Sequence, residues 1–221
     1  MWRLLQLADS AFPAGGFAHS AGLEAAVQRG EVAGAAAVQA FARAALWQAG
    51  AGALPLLRAA GAEPGRAWLW DARCEAALVS AVARRASQLQ GRAWVMAAEG
   101  AFGAALGAGW GELHAAVRAR ETPGHLCVVF GVSAAALGVA ATQAEQLYLH
   151  QVLRGVLSAA VRLGQLGPMQ AQRLQFELAG DAEAVLRASA GRSVEELASV
   201  APVEELLGAL HDRLYSRLFQ S

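Results

Sequence analysis

The chain has 221 residues, a formal net charge of zero at pH 7 and a hydrophobic fraction of 56%, with only 16% charged residues. This length fits one large domain or two small ones, and the apolar content excludes disorder as a description of the whole chain. A neutral chain lacks the basic field that nucleic-acid binding requires, so we expect no nucleic-acid partner.

The residue composition favours helices and limits the available chemistry. Alanine, the strongest helix former, supplies 55 residues, although a coding bias of the source would produce the same skew. Lysine is absent, and all 18 cations are arginines. The chain therefore cannot supply a P-loop lysine, a Schiff-base lysine or the ATP-binding lysine of a protein kinase.

The two cysteines and the N-terminal residues indicate the cellular compartment in which we expect the protein. Cys74 and Cys127 have neither the paired spacing of a zinc site nor the density of a secreted disulfide scaffold, so we predict that both are small core residues. The chain reaches Asp9 before any long apolar run, which predicts no signal peptide. We therefore expect a cytoplasmic protein.

A turn followed by a helix is predicted near the N-terminus. The Pro-x-Gly-Gly sequence at 13–16 supplies three turn residues, which are Pro13, Gly15 and Gly16. Ser20 is placed to cap the next helix, on which Glu24 and Gln28 share a polar face. The segment is either an ordinary interhelical loop or, with Phe17 beside the glycine pair, a binding loop.

The run from 125 to 144 contains no Asp, Glu or Arg, and its 126–141 portion is almost wholly apolar. A transmembrane helix needs about 20 predominantly apolar residues, so this shorter run predicts a buried central helix instead, packed against the helix at 145–163. Gly131 and Gly138 are predicted to share one helical face, where they would let a neighbouring helix approach closely.

The rest of the sequence is also helical in its periodicity. Residues 149–161 carry a broad apolar stripe, and the spacing at 203–218 repeats the pattern after a break at Pro202. Gly167 and Pro168 predict a helix start, because proline is favoured in the first helical turn. With the other glycine and proline breaks, the pattern predicts a single all-α domain over 1–221, a bundle of about eight to ten helices.

No residue pattern predicts a catalytic or metal site. The five histidines lack the spacing of a helical zinc site, and no serine lies in the Gly-x-Ser-x-Gly sequence of a hydrolase. We therefore predict no catalytic residues, no bound metal and no cofactor.

Three blocks of sequence, in matching order, resemble the UreF family of urease accessory proteins. The first block is 12–24, with the sequence FPAGGFAHSAGLE. The second runs from 154 to 168, and the third, from 211 to 221, contains the sequence Tyr-Ser-Arg-Leu-Phe. The resemblance is weak between 50 and 123.

The resemblance implies a cytoplasmic, non-enzymatic chaperone for nickel insertion. Members of this family form dimers and bind the accessory protein UreD, called UreH in some bacteria. That assembly recruits the nickel-carrying GTPase UreG and docks on apo-urease. A homodimer is therefore expected, with no membrane partner.

The resemblance also implies two groups of partner-binding residues. The group expected to face the GTPase comprises Phe17, His19, Ser20, Glu24 and Arg162. The group expected to bind UreD comprises His211, Tyr215, Arg217, Leu218 and Phe219. Because terminal segments fray unless something docks them, we expect the tail at 212–221 to be mobile or loosely packed alone and ordered by UreD. The alternative is a final helix folded back onto the core of the same chain.

Two other functions remain open from the residues themselves. His19 and Glu24 could serve a helical hydrolase or lyase, since both residue types perform acid–base chemistry. The apolar run at 125–144 could serve a membrane-associated nickel carrier.

Overall fold

The computed structural model describes residues 2–221, apart from the side chain of Ala108. This range folds into α-helices and short single turns of 3₁₀ or π helix, without a β-strand. The α-helices are α1 (Trp2–Ala8), α2 (Leu23–Gln28), α3 (Gly34–Gln48), α4 (Leu54–Ala62), α5 (Ala67–Ala77), α6 (Ala81–Phe102), α7 (Gly107–Ala119), α8 (Leu126–Ala136), α9 (Ala141–Arg162), α10 (Pro168–Glu177), α11 (Ala179–Ser189) and α12 (Pro202–Ala209). The all-α prediction is confirmed, and Pro168 opens α10 as expected.

Helix α8 lies at the centre of the fold, as its apolar sequence predicts. Every residue from 127 to 134 is buried. The helix packs most extensively on α4 and α6, and less on α9, which was the predicted neighbour. At Gly131 a β-carbon would lie 2.2 Å from the carbonyl oxygen of Leu57, so only glycine permits this approach of α4.

Gly138 has a different role from the one predicted for it. It follows the end of α8 with a left-handed φ of +71°, and a β-carbon there would meet open space. The prediction that it admits a neighbouring helix is therefore wrong, because the helix ends before reaching it. Within residues 2–221 no helix combines the length and apolarity needed to cross a bilayer.

The two cysteines are buried, as predicted, and their sulfur atoms lie 3.7 Å apart between α5 and α8. The hydrogen bond with the Cys127 thiol, and after it burial, raises the pKa of Cys74 well above its ordinary value. Cys74 is therefore a protonated thiol, and both buried side chains pack as small apolar groups.

The C-terminal segment folds back onto the body instead of extending α12. Helix α12 ends at Ala209, one 3₁₀ turn follows at His211–Arg213, and the chain then continues without helix to 221. The helical spacing read at 203–218 is therefore wrong beyond Ala209. The reason is that the main-chain groups of 218–221 bond to the N-terminal motif, which removes them from any helical ladder.

Candidate functional site

The carboxylate of Glu24 is buried, with only 1% of the residue exposed. One of its oxygens accepts hydrogen bonds from the Leu218 N–H at 2.6 Å and, more weakly, from the Gln28 amide at 3.4 Å. The other accepts from the Phe219 N–H at 3.1 Å and pairs with the His211 Nε2 at 2.9 Å. We call this arrangement of Glu24, His211, Leu218 and Phe219 the tail clasp.

The motif preceding Glu24 shapes the clasp. Gly22 has a φ of +87°, and a β-carbon there would lie 2.8 Å from the Cα of Gly208 in α12. Glycine is therefore needed at position 22 both for the backbone conformation and for the close approach of α12. The Ser20 hydroxyl accepts from the Glu24 N–H at 3.3 Å, which supports the predicted capping role of Ser20.

Ser20 and His19 also hold the last residue of the segment. The Ser20 N–H and hydroxyl both donate to the Ser221 carbonyl oxygen, at 2.6 and 3.0 Å. The His19 Nδ1 lies 2.6 Å from the Ser221 hydroxyl. Burial, and after it the nearby His211, lowers the pKa of His19 from its ordinary value, so a neutral imidazole is favoured.

Arg162 joins the N-terminal motif to the tail from the end of α9. Its guanidinium lies between two aromatic rings, 3.9 Å from the centre of Phe17 and 4.1 Å from that of Phe219. It also donates to the Phe17 carbonyl oxygen at 2.5 Å. Cation–π contacts of this geometry fix the guanidinium plane, which an amine could not reproduce.

The predicted groups therefore interleave instead of forming two separate surfaces. Phe17 is 71% exposed, while His19, Ser20 and Glu24 are buried beneath the tail. The polar face predicted for Glu24 and Gln28 is not accessible at Glu24, because main-chain donors and His211 occupy its carboxylate. No observation favours a hydrolase or lyase that uses His19 and Glu24.

The tail, 212–221, is docked through its last residues and exposed before them. Phe219 and Ser221 are buried, whereas Tyr215, Arg217 and Leu218 are exposed. The expectation of a tail that is loosely packed in the isolated chain is corrected at these two buried positions, since both pack against the body. His211, predicted as a partner contact, is completely buried in the clasp.

The N-terminal turn has the expected form. Gly15 adopts a left-handed φ of +73°, and its β-carbon would lie 3.2 Å from that of Ala93. Gly16 begins a 3₁₀ turn that ends at Ala18 and presents Phe17 outward. Pro13 lies on the surface just before this turn.

A second polar cluster, which sequence reasoning missed, lies between α5, α6 and the start of α8. Asp71 is fully buried and accepts from the Thr122 hydroxyl and the N–H groups of Gly124 and His125, at 2.5 to 2.7 Å. One turn further along α5, Glu75 contacts the His125 ring. The spacing of Asp71 and Glu75 by four residues on one helix was the available signal in the sequence.

Across the described part of the chain, no group of three or more His, Cys, Asp or Glu side chains could hold a metal ion.

Fold and site together define an all-α protein in which an N-terminal motif and a C-terminal segment build one surface. The UreF family model matches residues 32–179. The chain is 33% identical to urease accessory protein F of Oryza sativa subsp. indica, covering 99% of this chain and 84% of that protein. It is 32% identical to urease accessory protein F of Arabidopsis thaliana, covering 100% and 92%. It is 30% identical to urease accessory protein UreF of Photorhabdus laumondii, covering 99% and 97%. The chain belongs to the UreF family.

Proposed function

We propose that this chain is a urease accessory protein that binds UreD or UreH and recruits the GTPase UreG to apo-urease for assembly of the nickel centre. The observation that carries the proposal is membership of the UreF family together with similarity over nearly the full chain to proteins named urease accessory protein F. The role is that of a cytoplasmic chaperone, and it requires neither catalysis by this chain nor a cofactor. Nickel is the cargo of the assembly.

The distribution of exposed side chains supports a partner-binding surface around the tail. Tyr215 is fully exposed and Leu218 is 54% exposed, beside the exposed Arg217. Aromatic and arginine side chains are the types enriched at energetically dominant interface positions. We assign UreD binding to these three residues of the tail, 212–221.

The GTPase-facing surface is assigned to Phe17 and Arg162, which lie at the surface of the N-terminal motif. Glu24, His19 and Ser20 then act as positioning residues, because they are buried and hold the tail in place. Since Phe219 stacks on the same guanidinium as Phe17, a change in the tail alters the surroundings of the GTPase-facing pair. UreD binding and GTPase recruitment are therefore coupled through this stack.

The proposal is tested by reconstituting urease activation. Apo-urease, UreD, UreG, GTP, bicarbonate and nickel are combined with or without this chain, and urease activity and bound nickel are measured. We expect activation to depend on the chain. Activation that is independent of it, or failure of the chain to join UreD and UreG, would contradict the proposal.

Variants assign the two surfaces. The double substitution Tyr215→Ala and Leu218→Ala is expected to weaken UreD capture by about tenfold or more, since each removes a large exposed contact. Phe17→Ala is expected to weaken UreG recruitment while UreD is retained. Trp68→Ala on α5 is the matched control, because it removes an exposed aromatic side chain outside both surfaces. Equal effects of the control and the test variants would contradict the assignment.

The resemblance also leads us to propose a homodimer. Light scattering coupled to size-exclusion chromatography tests it with the isolated chain and with its complex with UreD. A monomer mass in both samples would contradict this part of the proposal.

A further inference from the structure

A cavity of about 720 Å³ extends from the second polar cluster to the N-terminal motif and the tail, and its lining includes Ser87, Leu126, Phe12, Phe17, Arg162 and Phe219. Ser87 lies on α6, one turn before Gly91. A β-carbon at Gly91 would lie 1.9 Å from the Gly124 carbonyl oxygen, so α6 packs directly on the main chain at the start of α8. This close packing brings the Ser87 hydroxyl within hydrogen-bond distance of the ring of His125, the residue after Gly124.

Three side chains form a continuous hydrogen-bonded chain at this point. The Ser87 hydroxyl lies 3.1 Å from His125 Nδ1, and His125 Nε2 lies 2.8 Å from a Glu75 carboxylate oxygen. Burial raises the pKa of Glu75, but hydrogen bonds from His125 and Gln88 and the charge of Arg84 outweigh it, and the net effect lowers the pKa. Glu75 is therefore ionised at neutral pH and can only accept a hydrogen bond.

The direction of the remaining hydrogen bond follows from this charge. Because an ionised Glu75 can only accept, the His125 tautomer that matches it carries its proton on Nε2 and leaves a lone pair on Nδ1. The Ser87 hydroxyl must then donate to Nδ1. The Leu126 N–H, at the amino end of α8, lies 3.3 Å from the same serine oxygen. A hydroxyl that donates to a base beside a helix amino terminus has the arrangement of an activated nucleophile.

Neighbouring groups hold the main chain at His125 in place. His125 is fully buried, and its N–H is fixed by Asp71 at 2.7 Å. Two further hydrogen bonds from Thr122 and Gly124 tie the loop to the same carboxylate. Asp71 therefore fixes the main chain at His125, and the imidazole is held by its own two hydrogen bonds through Nδ1 and Nε2. Such rigid support is what a reactive constellation needs and what an incidental surface contact lacks.

We propose that Ser87 is a nucleophile at the wall of this cavity, with His125 as its general base and Glu75 as the positioning residue for His125. The apolar walls fit an uncharged carboxylic ester with an apolar acyl group. Ser87 Oγ would bond to the ester carbonyl carbon while its proton passes to His125 Nδ1. The bond to the alcohol oxygen then breaks, and that oxygen takes the proton. Water repeats the sequence on the acyl-serine and releases the carboxylic acid.

The test uses the full-length chain and a small alkyl fluorophosphonate, which forms an Oγ–P bond with an activated serine and releases fluoride. Peptide mass spectrometry is expected to find the adduct on Ser87 in the folded chain and none there after denaturation. Ser87→Ala is expected to abolish labelling at an unchanged melting temperature. Ser158→Ala is the matched control, because Ser158 lines the same cavity and, within the described residues, has no hydrogen-bonded histidine. In the Ser158→Ala variant, Ser87 is expected to form the adduct as it does in the wild type.

Glu75→Gln separates activation from structural support. We expect it to slow the maximal labelling rate about tenfold or more, while the probe concentration for half-maximal rate and the melting temperature stay the same. Absence of an adduct on Ser87, equal labelling of Ser158, or an unchanged rate in Glu75→Gln would overturn the proposal. None of these results bears on urease activation, so the scaffold role stands or falls separately.

Discussion

Replacement of Glu24 by alanine removes the single acceptor shared by the tail clasp. Three donors then lose their partner, namely the buried Phe219 N–H and His211 Nε2 and the part-buried Leu218 N–H. An unsatisfied buried donor costs about 1–3 kcal/mol, and breaking a buried pair by removing its charged member costs about 3–5 kcal/mol. The loss at the clasp is therefore on the order of 3–5 kcal/mol.

The size of this loss determines whether only the tail detaches or the whole protein unfolds. The burial of Phe219 stabilises the docked tail by about 1.5–3 kcal/mol, which is less than the cost of three orphaned donors. Release of the tail lets water bond to those donors, so we expect the tail to detach while the body remains folded. The expected fall in amide protection at 214–221 is at least about 100-fold, because each 1.4 kcal/mol corresponds to a factor of ten and the loss is about 3 kcal/mol or more.

Hydrogen–deuterium exchange with mass spectrometry measures this directly. Peptides from 214–221 are compared with peptides from α8 in the wild type, in Glu24→Ala and in Gln28→Ala. Gln28 is the matched control, since its exposed amide donates to the Ser216 carbonyl oxygen and its loss costs at most about 1 kcal/mol. Unchanged protection of the tail in Glu24→Ala, or equal loss of protection in α8, would refute the reasoning.

Three further predictions concern stability. Gly22→Ala is expected to lower the free energy of unfolding by about 1–3 kcal/mol, since its β-carbon meets the Gly208 backbone at 2.8 Å, and denaturant titration measures this. Gly131→Ala is expected to cost about 3 kcal/mol or more in the same titration, whereas Gly100→Ala, in open space on α6, should stabilise by up to about 1 kcal/mol. His19 has a pKa lowered by burial and by a neighbouring histidine, so the unfolded chain binds the proton first and stability falls as the pH drops below 6.5. His19→Gln is expected to flatten that decline in thermal melts between about pH 7.5 and 5.5; an identical slope in both proteins would contradict the assignment.

Sequence periodicity was sufficient for the helical elements. Helix faces repeat every 3.6 residues, so the buried stripe of α9 and the wholly apolar α8 can be read from adjacent residues. Gly131 was also interpretable, because a glycine within such a helix favours close packing. The start of α10 at Pro168 follows from the fixed φ of proline. Each of these features depends on residues within a turn or two of one another.

The site depended on contacts that no local pattern specifies. Glu24 has the sequence surroundings of a solvated helical carboxylate, yet it is buried because a segment 194 residues later returns to cover it. The tail reads as helical beyond Ala209, but its main chain bonds to the N-terminal motif instead. Local propensity is worth tenths of a kcal/mol per residue, and several buried hydrogen bonds to a carboxylate outweigh it.

The second polar cluster shows the same limit. Ser87 and His125 are 38 residues apart and share no motif. They meet because Gly91 lets α6 reach the backbone ahead of α8, and because Asp71 fixes the loop that carries the histidine. The sequence by itself determined the helices and the family. Only the tertiary structure determined which polar groups are buried together, because burial depends on how distant segments pack.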